Sequence, residues 1–172
     1  MNISIFGLGY VGAVSAGCLA QDGHSVIGVD PYQPKVDLIN AGQTPVIEKD
    51  IGEIIAKAVA EGRLRATRDV AEAIKGSEIS LICVGTPSQH NGSLDLKYVR
   101  AVCEEIGLAL KEKDAFHVVV ARSTMLPGST EKAAAAGVPV VKGTDKYKSY
   151  KRQSTVATAS NAFLTNGDHV VF

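Results

Sequence analysis

No apolar stretch in this sequence approaches the ~20 residues that a bilayer-spanning helix requires, so no such helix is expected. Charge of one sign is missing as well. The 18 Lys and Arg balance 18 Asp and Glu. A nucleic-acid binder usually carries a basic excess, so that class of partner is not expected. Cysteine is scarce: Cys18, Cys83 and Cys103, an odd number at wide spacing, form neither a disulfide framework nor a zinc pattern. The histidines are scattered without an H-x-x-x-H pair, so a metal site has no support. A basic n-region and a small-residue cleavage site are also absent at the start, which makes the cytoplasm the expected compartment.

The 172 residues suffice for one well-cored domain, and the apolar share of 45% is ordinary for a soluble chain. Strand-like and helix-like stretches alternate along most of it. Strands are expected at Asn2–Phe6, Ser25–Val29, Leu64–Thr67, Glu78–Val84 and Val118–Ala121. Helices are expected at Tyr10–Gln21, Lys35–Asn40, Ile51–Glu61 and Val70–Lys75, and from an N-cap at Asp95 to about Lys111. Such alternation, with nearly continuous apolar strands, implies an α/β, Rossmann-like, doubly wound parallel sheet covered on both faces. The character changes after about Thr130. A short helix over Glu131–Ala136, a short strand at Val138–Val141 and a basic loop over Lys142–Arg152 are expected there. We take 1–172 as one Rossmann-like domain with an atypical C-terminal tail from 131.

Between the first strand and first helix lies Gly7-Leu8-Gly9-Tyr10-Val11-Gly12, a match to G-x-G-x-x-G. Its position between a strand and a helix is what gives the pattern force. Gly7 would permit the tight turn, Gly9 the approach of a pyrophosphate, and Gly12 the close packing of helix on strand. The helix start at Tyr10 and Val11 would offer free N–H groups and a partial positive charge to phosphates. The second strand runs into Asp30, 18 residues past Gly12. A carboxylate there accepts hydrogen bonds from the adenosine ribose and repels a 2′-phosphate, which favours NAD over NADP. Lys35 follows closely and is either a ribose or phosphate contact or a solvated helix charge. The competing reading of the whole motif is a strand–helix turn without a ligand.

These segments, together with Thr44–Glu48 (TPVIE), Ile82–Leu96 (ICVGTPSQHNGSLDL) and Arg122–Thr130 (RSTMLPGST), make the first 130 residues resemble the nucleotide-sugar 6-dehydrogenases, the UDP-glucose/GDP-mannose dehydrogenase family. The wording of the last two segments lies nearer the GDP-mannose branch. The resemblance implies an NAD domain joined to a second domain for a nucleotide sugar, whose C6 alcohol is oxidised to a carboxylate. It places Thr86 beside the cofactor and Thr124 near the nicotinamide and the reacting sugar, where the threonine helps position water. Plain turns or a helix cap are the competing readings for both. The resemblance also implies a covalent intermediate on a cysteine in the second half of family members. Neither Cys83, expected in a buried strand, nor Cys103, expected within a helix, matches that segment, and both read as core.

The pattern fails near the end. Where the family carries N-P-E-F-L-R-E-G, this chain has Ser160-Asn161-Ala162-Phe163-Leu164-Thr165-Asn166-Gly167. Ala162 replaces a glutamate implicated in catalysis and cannot serve as acid or base. Besides a stand-alone NAD-dependent dehydrogenase on another small substrate, for which the carboxyl-edge motifs offer no general base, two functions stay open. One is the NAD-binding portion of a nucleotide-sugar dehydrogenase, inactive alone. The other is a non-catalytic, truncated paralogue that binds NAD or a dehydrogenase subunit. The expected partners are a nucleotide sugar in a full-length relative and a second subunit, identical or not.

Overall fold

The computed structural model describes residues 1–90 and 92–125, and the backbone of 157–158. Its elements, in chain order, are β1 (Asn2–Phe6), α1 (Tyr10–Gln21), β2 (Ser25–Val29), α2 (Gln33–Asn40), α3 (Ile51–Ala60), β3 (Leu64–Thr67), α4 (Val70–Lys75), β4 (Ile79–Ile82), α5 (Lys97–Lys111), β5 (Val118–Ala121) and β6 (Ala157–Thr158). The expected helix at 131–136, the strand at 138–141, the basic loop 142–152 and Ala162 lie outside the described residues. All strand pairs are parallel, and the sheet order is β3-β2-β1-β4-β5-β6. The order reverses direction at β1, between β2 and β4. That reversal opens a crevice at the carboxyl edge, above the turn that leaves β1.

Side-chain alternation along β1 assigns the two faces. Ile3 and Ile5 point into a core shared with α1, α2 and α3, closed by Leu8, Ile39, Ile55 and Leu64. Phe6 points the other way, with Ile27, Ile74, Ile82, Val99 and Ile106, under α4 and α5. The helices supply matching stripes. α3 buries Ile51, Ile55 and Ala58, and α5 buries Val99, Cys103 and Ile106, in both cases at one-turn spacing. α1 buries only small residues (Gly12, Ala13, Ala16, Gly17 and Ala20), so its axis lies close to the sheet. Each fully buried Ile or Leu contributes about 1.5–3 kcal/mol of transfer free energy, so the two layers are what hold the crevice in shape.

Three expectations are corrected. Asp95 is not the N-cap of α5. Leu96 holds that position, and Asp95 accepts the Lys97 N–H at 3.0 Å from one residue further out. The fourth strand is shorter than Glu78–Val84, ending at Ile82. Cys83 therefore lies just beyond the strand and is only half-buried, whereas Cys103 is buried within α5 as expected.

The amino end of the sheet holds a feature that periodicity did not suggest. Ser4 and Ser80 face each other in register on β1 and β4, with their hydroxyl oxygens 2.6 Å apart. The Ser77 hydroxyl donates to the Ala73 carbonyl at 2.7 Å and lies 2.9 Å from the Ser4 hydroxyl. Ser80 meets Nε2 of His117 at 2.7 Å, and Nδ1 of His117 lies 3.0 Å from Lys113 Nζ. Lys113 also donates to the carbonyls of Ile74 and Ser77 at the end of α4. Nδ1 also lies 3.1 Å from the Ser77 carbonyl, so polar partners meet the imidazole at both ring nitrogens. His117 is 2% exposed. Burial, reinforced by the Lys113 charge and partly opposed by the Ser77 carbonyl, lowers its pKa to about 4.

The unfolded chain therefore takes up this proton first, near the ordinary pKa of about 6.5. The stability tied to neutral His117 is complete above that pH and is lost as pH falls toward 4. Urea unfolding at pH 7.5 and at pH 5.0 is expected to differ by about 2 kcal/mol through this residue. The His117→Gln variant should lose most of that slope; an unchanged slope would remove His117 from the account.

Candidate functional site

β1 delivers the chain into a turn that only glycine can make at two places. Gly7 has φ +96°, and its N–H donates to the Val29 carbonyl at 2.7 Å. A Cβ on Gly12 would lie 1.7 Å from the Gly7 carbonyl oxygen, so the first turn of α1 closes directly onto the loop. Above Gly9, by contrast, a Cβ would meet nothing within 4 Å. The backbone is bare there and open to an approaching group. Gly9 is the N-cap of α1, no side chain caps the helix, and its first turn has no acid. Unused N–H groups and the positive end of the helix thus face the opening, an arrangement suited to a phosphate.

Asp30 sits where β2 ends, 5% exposed. Its Oδ2 accepts the Leu8 N–H at 2.8 Å and the Lys35 ammonium at 3.1 Å, while Oδ1 accepts the Tyr32 N–H at 3.0 Å. Three of the roughly four acceptor positions of a carboxylate are filled by the protein, which leaves one for a ligand hydroxyl. Lys35 is thereby accounted for: it is the ion-pair partner of Asp30, with its side chain about one-third exposed.

The remaining expected residues meet on the far side of the reversal point. The Thr86 hydroxyl donates to the Thr124 carbonyl at 2.9 Å, joining the loops after β4 and β5. Ser123 reinforces the junction by donating to the Val84 carbonyl at 2.6 Å. Cys83 lies beside them. Burial pushes its thiol pKa up, and the nearby Arg122 charge draws it only partly back. A thiol held in that form is a poor nucleophile at neutral pH.

A groove of about 1110 Å³ runs along this edge. Gly7, Gly9, Asp30, Lys35, Val84 and Gly85 line it, so it contains the glycine turn, the acid and the start of the second loop. Tyr10 and Val11 are exposed at the head of α1. The Tyr10 hydroxyl donates to the Glu48 carboxylate, which holds the phenol above its usual pKa and ties the 44–48 loop to the glycine turn. Several site residues escaped sequence reasoning. Leu8 acts through its backbone, which leaves no residue signature. Ser123 was detectable by its place at a strand end, and Arg68, on the groove wall, by its place just past β3.

The fold and groove define a dinucleotide-binding α/β domain. The sequence profile described as the UDP-glucose/GDP-mannose dehydrogenase family, NAD binding domain, matches residues 1–170, and the chain belongs to that family. Its cofactor is NAD. GDP-mannose 6-dehydrogenase of Pseudomonas syringae pv. tomato is 55% identical over 129 residues, which are 75% of this chain and 30% of the relative. UDP-glucose 6-dehydrogenase of Rhizobium meliloti is 41% identical over 130 residues, 75% of this chain and 29% of the relative. The crystal structure of a ternary complex of GDP-mannose dehydrogenase from Pseudomonas aeruginosa superposes with a TM-score of 0.78 at 51% identity, covering 80% of this chain and 31% of that one. The chain thus spans about 30% of the length of the curated relatives it matches. Among the described residues no helix is long and apolar enough to cross a membrane.

Two substitutions test the geometry. Asp30→Asn would turn an amide N–H against the Leu8 or Tyr32 N–H, and a buried unpaired donor costs about 1–3 kcal/mol. Chemical denaturation should show that loss in the absence of any cofactor; equal stability would mean that the carboxylate does not hold the turn. Gly12→Ala should cost at least about 1–3 kcal/mol through overpacking and abolish detectable NAD binding by calorimetry.

Proposed function

We propose that this domain holds NAD along its carboxyl edge for the oxidation of a nucleotide-sugar alcohol within a dehydrogenase of the family. The observation that carries this reading is the conjunction in one groove of the bare, uncapped α1 start and the nearly saturated Asp30 carboxylate. In this reading the N–H groups at Gly9, Tyr10 and Val11 take the pyrophosphate. Asp30 accepts a ribose hydroxyl in its last free position, and Lys35 offsets its charge. Thr86 and Thr124 form the floor at the nicotinamide end, Thr124 being the residue closest to the chemistry. NAD supplies the hydride acceptor, and these residues bind and orient. The higher identity to GDP-mannose 6-dehydrogenase than to UDP-glucose 6-dehydrogenase favours GDP-mannose as the substrate.

A polypeptide of these 172 residues is expected to bind NAD but not to turn over. The catalytic cysteine segment implied by family resemblance has no match in it. Titration with NAD, followed by an assay for NADH with GDP-mannose and with UDP-glucose, tests both statements. Steady NADH formation would sink the second. Asp30→Ala should abolish NAD binding or admit NADP; unchanged affinity for both would remove the ribose role. Ala162 favours a second reading, a non-catalytic module that binds NAD and a dehydrogenase subunit. Co-purification with a full-length dehydrogenase would support it, and strictly monomeric behaviour beside such a partner would count against it.

A further inference from the structure

Four basic side chains around this sheet stand in ion pairs. Lys35 pairs with Asp30, Arg63 with Glu61, Arg65 with Glu72 and Lys97 with Asp95. Arg68 differs. It is exposed, and among the described residues it makes no hydrogen bond and no ion pair. Its place is nevertheless fixed. It follows Thr67, the last residue of β3, whose carbonyl accepts the Asp30 N–H at 3.4 Å. Arg68 and Asp30 therefore leave neighbouring parallel strands side by side. Asp69 then caps α4 through the Glu72 N–H at 3.0 Å, which anchors the backbone on the other side of Arg68.

Arg68 lines the same groove as Asp30, beside the α4 cap Asp69, and Pro31, Val70 and Ala71 supply an apolar stretch of the wall there. Asp30 marks the ribose end of the groove in the cofactor reading, on which this inference rests. The base attached to that ribose then falls on the apolar wall, within reach of the guanidinium. A guanidinium is planar and weakly hydrated, and it stacks on aromatic faces in a way that an ammonium does not. We propose that Arg68 binds the adenine ring of the cofactor by covering one face of the purine. A role for Arg68 in accepting a 2′-phosphate is disfavoured by Asp30 next to it, whose carboxylate opposes a phosphate at that ribose.

The experiment uses the full chain with Arg68→Ala and Arg68→Lys, titrated with NAD, AMP, nicotinamide mononucleotide and NADP. Arg68→Ala is expected to weaken NAD and AMP about three- to ten-fold, the range of a cation–π contact at a partly desolvated site. Nicotinamide mononucleotide, measured by displacement of NADH fluorescence, should be unaffected because it lacks the adenosine half. Arg68→Lys should fail to restore NAD affinity, since it keeps charge without the plane. Thermal unfolding without ligand should not change, which separates binding from a structural role. Unaltered NAD affinity in Arg68→Ala overturns the proposal. So does full rescue by lysine, or a loss confined to NADP, either of which would leave only a charge effect. Absence of NAD binding by the unsubstituted chain would overturn the cofactor reading itself, and this proposal with it.

Discussion

The Asp30 carboxylate accepts an N–H from Leu8 in the first turn and an N–H from Tyr32 in the second, so a single side chain fixes two loops that must meet one ligand. The geometry leaves little freedom. Leu8 is fully buried under the turn, and Gly7 is bonded back to Val29, the residue before Asp30. The ends of β1 and β2 are thereby locked by one main-chain bond and one carboxylate. Lys35 supplies the charge that lets the acid remain buried so close to a loop rich in N–H groups. A buried carboxylate without such donors would be costly. A substitution at Asp30 that aims to probe the proposed ribose contact therefore also probes the fold.

The two ends of the sheet resolve the same problem in opposite ways. Parallel strands and their helices leave unpaired N–H groups at one edge and carbonyls at the other. At the amino edge the protein satisfies its own groups. Lys113 takes the Ile74 and Ser77 carbonyls at the end of α4, where a cation also suits the helix dipole. His117, Ser80 and Ser4 extend the chain of bonds into the core. At the carboxyl edge α1 keeps an uncapped start, with no acid in its first turn. One end is closed and rigid, and the other retains unused donors. That asymmetry directs a ligand to a single edge of an otherwise symmetrical sandwich of helices on a sheet.

Much of this was legible in the sequence, for identifiable reasons. Strands such as Asn2–Phe6 and Ser25–Val29 are short apolar runs between turn signals, and they fall where expected. The glycine pattern could be placed because each glycine answers a steric demand, most severely at Gly12. What escaped was whatever depends on a neighbouring strand. β4 ends at Ile82, although the Cys83 N–H still donates to the Phe6 carbonyl at 2.8 Å, and strand ends of this kind are set by the neighbouring strand. Ser4 reads as an ordinary polar position in a half-exposed strand until its register against Ser80 is known. Asp95 has the residue type of a cap, but the helix begins one residue later than that role requires. The partner of Glu48 was also invisible, since Tyr10 is remote in sequence and meets it only through the loop before α3.

The chemistry available in the loops after β4 and β5 follows from the same balance of donors and acceptors. The Thr86 proton is committed to the Thr124 carbonyl, so what Thr86 can offer a ligand is an oxygen lone pair. The Ser123 proton is likewise committed, to Val84. Cys83 stays a thiol because burial outweighs the pull of Arg122. Groups in these states can align a ring or hold a water, but none is set to take a proton or form a covalent bond at neutral pH. Two loops that could have moved independently are instead fastened together by hydroxyls. Rigidity of that kind serves orientation, and orientation is the part of a hydride transfer that an NAD-binding domain must contribute.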